Sequence, residues 1–275
     1  MDISQVPYSE RDVYVKAKKI LPTPSVEKPI WLDSSEGVYV SIQGEGLTIG
    51  LPTTFVRFKG CNLRCSWCDT KFSAYTIENR VELTIDEAFE RIHGAGRRIV
   101  DFTGGEPMLF AVTPPHGLRE LASKLKDAGH WLQIETNGTL YDQKLWPLID
   151  LWSVSPKLPG SGESNWDGVD YLIDRALGEA LYEGEVCTKL QFKFVIANEN
   201  DLNVLVERLS QFPLIEDSFY FILQPEGEKC NAEDYQKKCR QLTEWALNHV
   251  GLQQYRWRVM LQFHRFIWGG EARKV

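Results

Sequence analysis

The stretch from Gly60 to Thr70 reads GCNLRCSWCDT and holds three of the six cysteines in a chain of 275 residues. Cys61, Cys65 and Cys68 follow the spacing C-x3-C-x2-C within eight residues. A secreted disulfide scaffold does not bunch half of its cysteines in this way. The spacing therefore favours a metal or cluster site in a reducing compartment.

The other three cysteines narrow the choice of metal. Cys187, Cys230 and Cys239 form no CxxC pair, whereas a structural zinc site usually draws four ligands from two paired motifs. Thiolates also suit iron–sulfur clusters. Three closely spaced cysteines fit a four-iron cluster whose fourth iron stays open for a small molecule.

The composition excludes several classes of protein. Hydrophobic residues make up 43% and charged residues 25%, which is typical of a globular chain with a sizeable core. The formal net charge of −7 disfavours direct binding of nucleic acid through its phosphates. No apolar run approaches the roughly 18 residues of a membrane span, and none resembles a signal peptide. We expect a cytoplasmic protein.

Strand-like and helix-like segments alternate along most of the chain, which predicts an α/β fold with a parallel sheet covered by helices, open or partly closed as a barrel. The strand-like runs are 53–58, 98–103, 131–135, 151–155, 190–196, 219–224 and 257–261. Helical spacing occurs at 84–95, 118–129, 200–212 and 234–251. Thr84, the glycine before Leu118 and Asn200 are the predicted starts of the first three helices.

Residues 1–35 are predicted to be an N-terminal arm, in part disordered, because LPTPSVEKP carries three prolines in nine residues. Residues 36–275 are predicted to form one catalytic domain. The connection 160–184 is rich in glycine and acidic residues, and the sequence assigns it no partner.

Five polar or glycine-rich words each follow a predicted strand. They are GCNLRC, GGEP, TNGT, SPK and PEG. In α/β sheets and barrels, active sites assemble at the carboxyl ends of the strands. The position of these words predicts one shared site.

The motif CNLRCSWC resembles the signature of the radical S-adenosylmethionine superfamily, with Trp67 just before the last cysteine, and TGGEP (103–107) resembles that superfamily's GGE motif. The resemblance implies a partial (β/α)6-type radical SAM barrel with parallel strands and covering helices. It also implies a 4Fe–4S cluster on Cys61, Cys65 and Cys68, whose open iron binds S-adenosylmethionine. The cofactor then carries the chemistry as a 5′-deoxyadenosyl radical, so no side chain is predicted to be catalytic.

The resemblance also implies a set of contacts to the cofactor. Taken alone, each word is a weak signal: an ordinary turn explains GGEP better and TNGT at least as well. Their shared location strengthens the prediction for all of them. The predicted cofactor-binding residues are Trp67, Cys68, Asp69, Gly104, Gly105, Glu106, Thr136, Asn137, Ser155, Pro156, Lys157, Gln224, Pro225, Glu226 and Gly227.

A longer series of words resembles 7-carboxy-7-deazaguanine synthase, in order from Val38 to His264. The words are QGEG, GLPTTFVRFKGC, CSWCDTK, TGGEP, QIETNGT, SVSPK, LQPEG and a closing WR…LQFH. That family is a group of carbon–nitrogen lyases on the route to queuosine and other deazapurines. It contracts a ring of 6-carboxy-5,6,7,8-tetrahydropterin to give 7-carboxy-7-deazaguanine, with loss of ammonia.

This family resemblance implies Mg²⁺ on Thr70, an electron donor such as flavodoxin or ferredoxin, and a homodimer. The implied substrate-binding residues are Ile42, Gln43, Gly44, Glu45, Arg57, Thr103, Gln262 and His264. Simpler roles stay open: a loop-capping hydroxyl for Thr70, a strand-end ion pair for Arg57, and loop stabilisation for Glu45.

Two other functions share part of the pattern. A radical activase acting on a glycyl radical protein would have the cysteine word and GGEP, but it would need a groove for a polypeptide. A non-catalytic iron–sulfur or zinc protein would leave the converging words unexplained. The tail RFIWGGEARKV extends past His264, beyond the usual family pattern.

Overall fold

The structure, a computed structural model, describes residues 24–35, 37–183, 189–212, 219–228 and 230–269. Its strands are β1 Ile30–Asp33, β2 Val38–Ile42, β3 Pro52–Phe58, β4 Arg80–Leu83, β5 Ile99–Gly104, β6 Trp131–Thr136, β7 Leu151–Val154, β8 Leu190–Ile196, β9 Tyr220–Pro225 and β10 Trp257–Val259. Its helices are α1 Lys71–Ala74, α2 Ile85–Gly94, α3 Leu109–Val112, α4 Gly117–Asp127, α5 Val169–Glu183, α6 Glu199–Leu209, α7 Ala232–Asn248 and α8 Phe263–Trp268.

The chain divides into two compact units. The first consists of Met1–Val40, Thr53–Arg64 and Thr70–Asp150. The second consists of Ser41–Pro52, Cys65–Asp69 and Leu151–Val275.

In the first unit, the central strand β5 runs parallel to both β3 and β6. The pairing of β3 with β5 extends from Thr53 opposite Ile99 to Phe58 opposite Gly104. Strand β1 adds to this sheet in the antiparallel direction between β3 and β4. Because the three parallel strands end at one edge, the words that follow β3, β5 and β6 emerge together.

The second unit has four parallel strands, in which β7 pairs with β8, β8 with β9, and β9 with β10. Its core is aromatic: the ring of Phe192 stacks on Phe194 and Phe221 at centroid distances of 6.1 and 5.9 Å and meets Phe219 edge-on at 5.6 Å. The SPK and PEG words follow β7 and β9, at the same edge of this sheet.

Local signals explain where most helices begin. Thr84 precedes α2 with a complete capping box, in which its side chain and that of Glu87 bond each other's backbone N–H. Helix α6 is capped by Asn198, whose side chain accepts from Asp201 N, and not by Asn200 as predicted. Helix α4 begins at Gly117, which is the predicted glycine, and His116 precedes it with a φ of 65°.

Every predicted strand and helix is present, with small shifts at the ends. Strand β2 lies in the stretch GVYVSIQGEGLTIGLP, whose alternating apolar residues and glycines predict a strand and a tight loop. Helices α1, α3, α5 and α8 and strands β1 and β4 were not predicted from the sequence. Helix α5 occupies most of the connection 160–184. Strand β1 lies in the predicted arm and is buried along its length. Residues 1–23 of that arm and residues 270–275 of the tail lie outside the described residues. None of the described helices is both long and apolar enough to span a membrane.

Removal of the Phe192 ring tests the aromatic core of the second unit. Phe192 is 1% exposed, so Phe192→Ala should lower the free energy of unfolding by about 3–5 kcal/mol through lost contacts and a cavity. Urea unfolding measured by circular dichroism would show this as a lower midpoint. Phe266→Ala is the control, because Phe266 is 58% exposed; an equal shift in both variants would contradict the proposed packing.

Candidate functional site

The predicted site residues are distributed over both units. The first unit holds Arg57, Cys61, Thr70, Thr103, Gly104, Gly105, Glu106, Thr136 and Asn137. The second unit holds Ile42, Gln43, Gly44, Glu45, Cys65, Trp67, Cys68, Asp69, Ser155, Pro156, Lys157, Gln224, Pro225, Glu226, Gly227, Gln262 and His264.

Cys61 follows β3 and is half-buried. Its sulfur accepts a hydrogen bond from the backbone N–H of Leu63 at 3.4 Å and lies 3.8 Å from the amide nitrogen of Asn137. N–H groups directed at a cysteine sulfur stabilise its thiolate and tune a bound cluster. This surrounding fits a cluster ligand.

The two glycines of GGEP allow the backbone after β5 to touch the backbone before Cys61. Gly105 N donates to Phe58 O at 2.9 Å, and Glu106 N donates to Gly60 O at 2.8 Å. A Cβ atom on Gly105 would lie 1.9 Å from Gly60 O, and Gly104 adopts a φ of +109°. The structure therefore gives both glycines a packing reason that the sequence did not reveal.

Glu106 joins the GGEP and TNGT words. The side chain is 1% exposed, and one carboxylate oxygen accepts from Thr136 Oγ1 at 2.8 Å and from Met108 N at 3.0 Å. The other accepts from Asn137 N at 2.8 Å. A buried carboxylate needs such donors, and here it fixes one loop against another. Its predicted contact with the cofactor stays a prediction.

Asn62 was not predicted as a site residue. Its Nδ2 donates to Thr139 Oγ1 at 2.6 Å, and its Oδ1 accepts from Asn137 Nδ2 at 2.9 Å. The side chain thus links the residue after Cys61 to TNGT. Its position inside the cysteine word GCNLRC was the one available signal.

Thr70 precedes α1, but its side chain does not cap that helix. The hydroxyl instead donates to Gly104 O at 3.2 Å. A hydroxyl that donates its hydrogen presents oxygen lone pairs, the hard donor that Mg²⁺ prefers. Thr70 therefore does not cap α1. Its role as a loop-capping hydroxyl stays open, and the predicted magnesium contact fits the chemistry of this side chain.

Arg57 lies opposite Thr103 in the pairing of β3 and β5. Its guanidinium donates to Tyr39 Oη and lies over the rings of Tyr39 and Phe72, 5.3 and 5.7 Å from their centroids. Burial raises the pKa of Tyr39 to about 12, although the charge of Arg57 opposes this shift.

The Thr103 side chain contacts a carboxylate that was not predicted to be a site residue. Its hydroxyl donates to Glu135 Oε2 at 2.9 Å. Glu135 is the residue before TNGT, at the end of β6. The end of the sheet in the first unit thus carries a guanidinium, a hydroxyl and a carboxylate on neighbouring strands.

In the second unit, the loop with Cys65 packs against the SPK word. Cys65 is 7% exposed, and burial raises the pKa of its thiol while the charge of Lys157 opposes this. The Lys157 ammonium lies 5.3 Å from the ring centroid of Trp67 and donates to Ser155 Oγ at 2.9 Å. Asp69 is exposed.

The QGEG loop meets the closing Gln-x-His motif. Phe263 N donates to Gly44 O at 2.9 Å, and a Cβ on Gly44 would lie 2.3 Å from His264 Nδ1. Glu45 Oε1 accepts from Gln262 Nε2 at 2.7 Å, and Glu45 Oε2 pairs with Lys193 Nζ. Three predicted substrate-binding residues, Glu45, Gln262 and His264, are therefore brought together.

Electrostatics keep Glu45 ionised. Burial acts to raise the pKa of Glu45, but the charge of Lys193, that of His264 and hydrogen bonds from Lys193 and Gln262 lower it to about 2. The buried Gln43 instead bonds within the loop, where its Oε1 accepts from Glu45 N at 3.0 Å. Ile42 is half-buried at the end of β2.

The PEG word is held by its own neighbours. Glu226 forms an ion pair with Lys238 of α7, and its N–H donates to Ile196 O at 3.0 Å. A Cβ on Gly227 would lie 2.8 Å from Gln262 Oε1. Whether PEG contacts the cofactor stays a prediction, as it does for Pro156.

The donor set fits an iron–sulfur cluster. Cys61, Cys65 and Cys68 are not part of a disulfide bond, and thiolates are the usual ligands of such clusters. Among the described residues, no group of three or more His, Cys, Asp or Glu side chains is arranged to hold a single metal ion. That result concerns single ions, because a cluster separates its cysteine ligands by iron and sulfide.

Comparison with known proteins decides the family. The radical SAM superfamily model matches residues 55–154. The 7-carboxy-7-deazaguanine synthase of Hyperthermus butylicus is 36% identical over 200 residues, covering 69% of this chain and 76% of that protein. The chain belongs to the 7-carboxy-7-deazaguanine synthase family. The synthase of Koribacter versatilis is 30% identical over 248 residues, which cover 86% of this chain and 98% of that protein.

A solved structure agrees on the fold. QueE from Escherichia coli superposes with a TM-score of 0.60 and 24% identity, covering 86% of this chain and 94% of that one. The predicted α/β radical SAM fold and the family predicted from the motif words are both confirmed. Membership in the 7-carboxy-7-deazaguanine synthase family makes this chain a radical SAM enzyme and implies the cluster and S-adenosylmethionine; the activase alternative is not favoured.

The close approach of Gly105 and Gly60 can be tested with one methyl group. Gly105→Ala should force the two backbones apart, cost about 1–3 kcal/mol of stability and lower the iron content of the reconstituted protein. Gly94→Ala is the matched control, because no atom lies within 4 Å of a Cβ at that position. Equal iron content and thermal stability in Gly105→Ala and wild type would contradict the geometry.

Proposed function

We propose that this chain converts 6-carboxy-5,6,7,8-tetrahydropterin to 7-carboxy-7-deazaguanine with release of ammonia. The observation that carries the proposal is the meeting of the QGEG loop with the Gln-x-His motif at Glu45, in a chain of this family. A small heterocycle with several N–H donors is the kind of ligand that an ionised carboxylate flanked by amides can orient. A polypeptide substrate would not explain why an ionised carboxylate lies between amide side chains.

Cys61, Cys65 and Cys68 would hold the cluster. Three thiolate ligands for four irons would leave one iron open for the cofactor. When bound and reduced by one electron, the cluster and S-adenosylmethionine supply a 5′-deoxyadenosyl radical that starts the ring contraction. The protein residues bind, orient and shield the reactants. Glu106 and Asn62 fix the loops around Cys61, while Lys157 and Trp67 pack beside Cys65.

The substrate would be oriented by its carboxylate and by its pyrimidine edge. Arg57 offers a planar cation, suited to a carboxylate, that Tyr39 and Phe72 hold in place. Thr103 lies beside it on the next strand. Glu45, Gln262 and His264 supply acceptors and donors for ring nitrogens, and backbone groups of Ile42, Gln43 and Gly44 complete the set.

Thr70 would help to hold Mg²⁺, which would supply a hard Lewis acid that neutralises negative charge on the substrate. An external electron donor of the flavodoxin or ferredoxin type, a homodimer and a cytoplasmic location complete the proposal. The homodimer and the cytoplasmic location rest on the family. The electron donor rests also on chemistry, because the cluster must receive one electron for each activation.

The decisive assay is anaerobic. Reconstituted protein would be mixed with reductant, S-adenosylmethionine, Mg²⁺ and 6-carboxytetrahydropterin, and products followed by mass spectrometry. Appearance of 7-carboxy-7-deazaguanine without stoichiometric loss of S-adenosylmethionine is the expected result. Cleavage of the cofactor with the pterin untouched would reject this substrate and favour the activase.

Loss of one motif cysteine should remove the cluster. Cys65→Ala is expected to lose the visible absorbance and most of the iron of the reconstituted protein, because Cys65 is one of the three predicted thiolate ligands. Cys230→Ala, outside the motif and half-buried, should keep both. A full cluster in Cys65→Ala would show that the ligand set is wrong.

Loss of the Thr70 hydroxyl should affect Mg²⁺ and spare the cluster. Thr70→Ala is expected to raise the Mg²⁺ concentration for half-maximal turnover at least tenfold, roughly the effect of perturbing a metal site, with unchanged absorbance. Thr243→Ala is a matched control, since that hydroxyl also donates to a backbone carbonyl, Cys239 O at 2.8 Å. An unchanged Mg²⁺ dependence in Thr70→Ala would remove Thr70 from the metal site.

A further inference from the structure

The two oxygens of the Glu45 carboxylate are held by different donors. Oε2 pairs with the ammonium of Lys193, while Oε1 accepts from Gln262 Nε2 at 2.7 Å and from Gln224 Nε2 at 3.3 Å. The Glu45 and Lys193 side chains are only 12% and 9% exposed. The carboxylate is therefore fixed on both edges in a poorly hydrated place.

Gln262 is itself fixed. Arg265 Nε donates to Gln262 Oε1, and Gln262 N donates to Tyr235 Oη at 2.9 Å. Because the amide oxygen accepts from Arg265, the amide nitrogen must face Glu45. The orientation of this amide therefore follows from its partners. The amide nitrogen of Gln224 faces the same carboxylate at 3.3 Å.

Lys193 lies in the middle of β8 between two core residues. Phe192 and Phe194 are buried on one face of the strand at 1% and 0% exposure, so the side chain of Lys193 projects to the other face. An ammonium so little exposed needs a counter-charge. A Lys at this position is costly for stability alone, because an apolar side chain of similar size would pack without desolvation.

We propose that Lys193 is a positioning residue that acts through Glu45. It holds the carboxylate ionised and in a single orientation, so that Glu45 acts only as an acceptor for N–H donors of the substrate's pyrimidine edge. This inference rests on the proposed function, since it takes the bicyclic pterin as the ligand. Lys193 acts through its ion pair with Glu45.

The alternative is that the pair serves stability alone. The two roles differ in what they change: loss of positioning weakens substrate affinity in the folded holoenzyme, whereas loss of stability lowers the unfolding midpoint and the yield of folded protein. Steady-state kinetics on reconstituted protein therefore separate them.

The experiment compares Lys193→Met and Lys193→Arg with wild-type holoenzyme. Lys193→Met should raise KM for the pterin about 10- to 100-fold with kcat within about threefold, and Lys193→Arg should recover most of the loss. Lys126→Met is the matched control, because Lys126 forms an ion pair with Asp150 at 2.7 Å outside the predicted site residues. Iron content and visible spectrum should be unchanged in all three variants.

The pH dependence gives a second readout. In wild type Glu45 stays ionised between pH 6 and 8, so its protonation does not affect KM. In Lys193→Met the pKa of Glu45 rises, and KM should increase as the pH falls toward 6 because the protonated acid is a poorer acceptor. The other groups facing Glu45 are His264, Gln262, Gln224 and Tyr235; they are present in both proteins, so the difference between the profiles isolates Lys193.

The outcomes separate the two proposals. No pterin turnover by wild type, with intact cofactor cleavage, would reject the proposed function. Turnover by wild type with an unchanged KM and pH profile in Lys193→Met would overturn the positioning role. If Lys193→Met does not fold, Lys193→Gln in the same assays decides, because it keeps a donor but removes the charge, and an unchanged KM in that variant would overturn the inference too.

Discussion

The contact between Gly105 and Gly60 is the constraint on which the first unit's site depends. Gly60 O accepts from Glu106 N, and Gly60 N donates to Ser73 O at 2.8 Å, so the residue before Cys61 is held from two directions. Any side chain at Gly105 would occupy the space of Gly60 O. The position of Cys61 is thus constrained by backbone packing.

Buried polar groups extend this rigidity. Glu106 ties GGEP to TNGT, and Asn62 ties TNGT back to the residue after Cys61. Each of these bonds is expensive to break inside the protein, because the freed partner would be buried without a donor or acceptor. Radical chemistry depends on exact placement and exclusion of side reactions, and a closed set of short loops meets that demand.

The sequence predicted the parallel strands and the motif words well, because alternation and glycine-rich turns are local signals. It missed β1, whose four residues follow a proline and are fixed by distant partners, such as the buried ion pair of Asp33 with Lys59 at 2.7 Å. It also missed Lys193, which lies 148 positions from Glu45. A lysine within an apolar run indicates a buried partner, but not which one, and that information comes only from the fold.

Two glutamates in glycine-rich words show how similar motifs serve different purposes. Glu106 is satisfied by backbone N–H groups and a short hydroxyl side chain, donors that cannot move without moving the chain. Glu45 is satisfied by an ammonium and two amides on side chains that come from distant strands and from the chain near its end. Backbone donors hold Glu106 as part of a scaffold, whereas side-chain donors leave the charge and orientation of Glu45 dependent on single residues. On this physical ground GGEP is the frame that fixes the Cys61 loop, and the proposed role of QGEG depends on the side chains that hold Glu45.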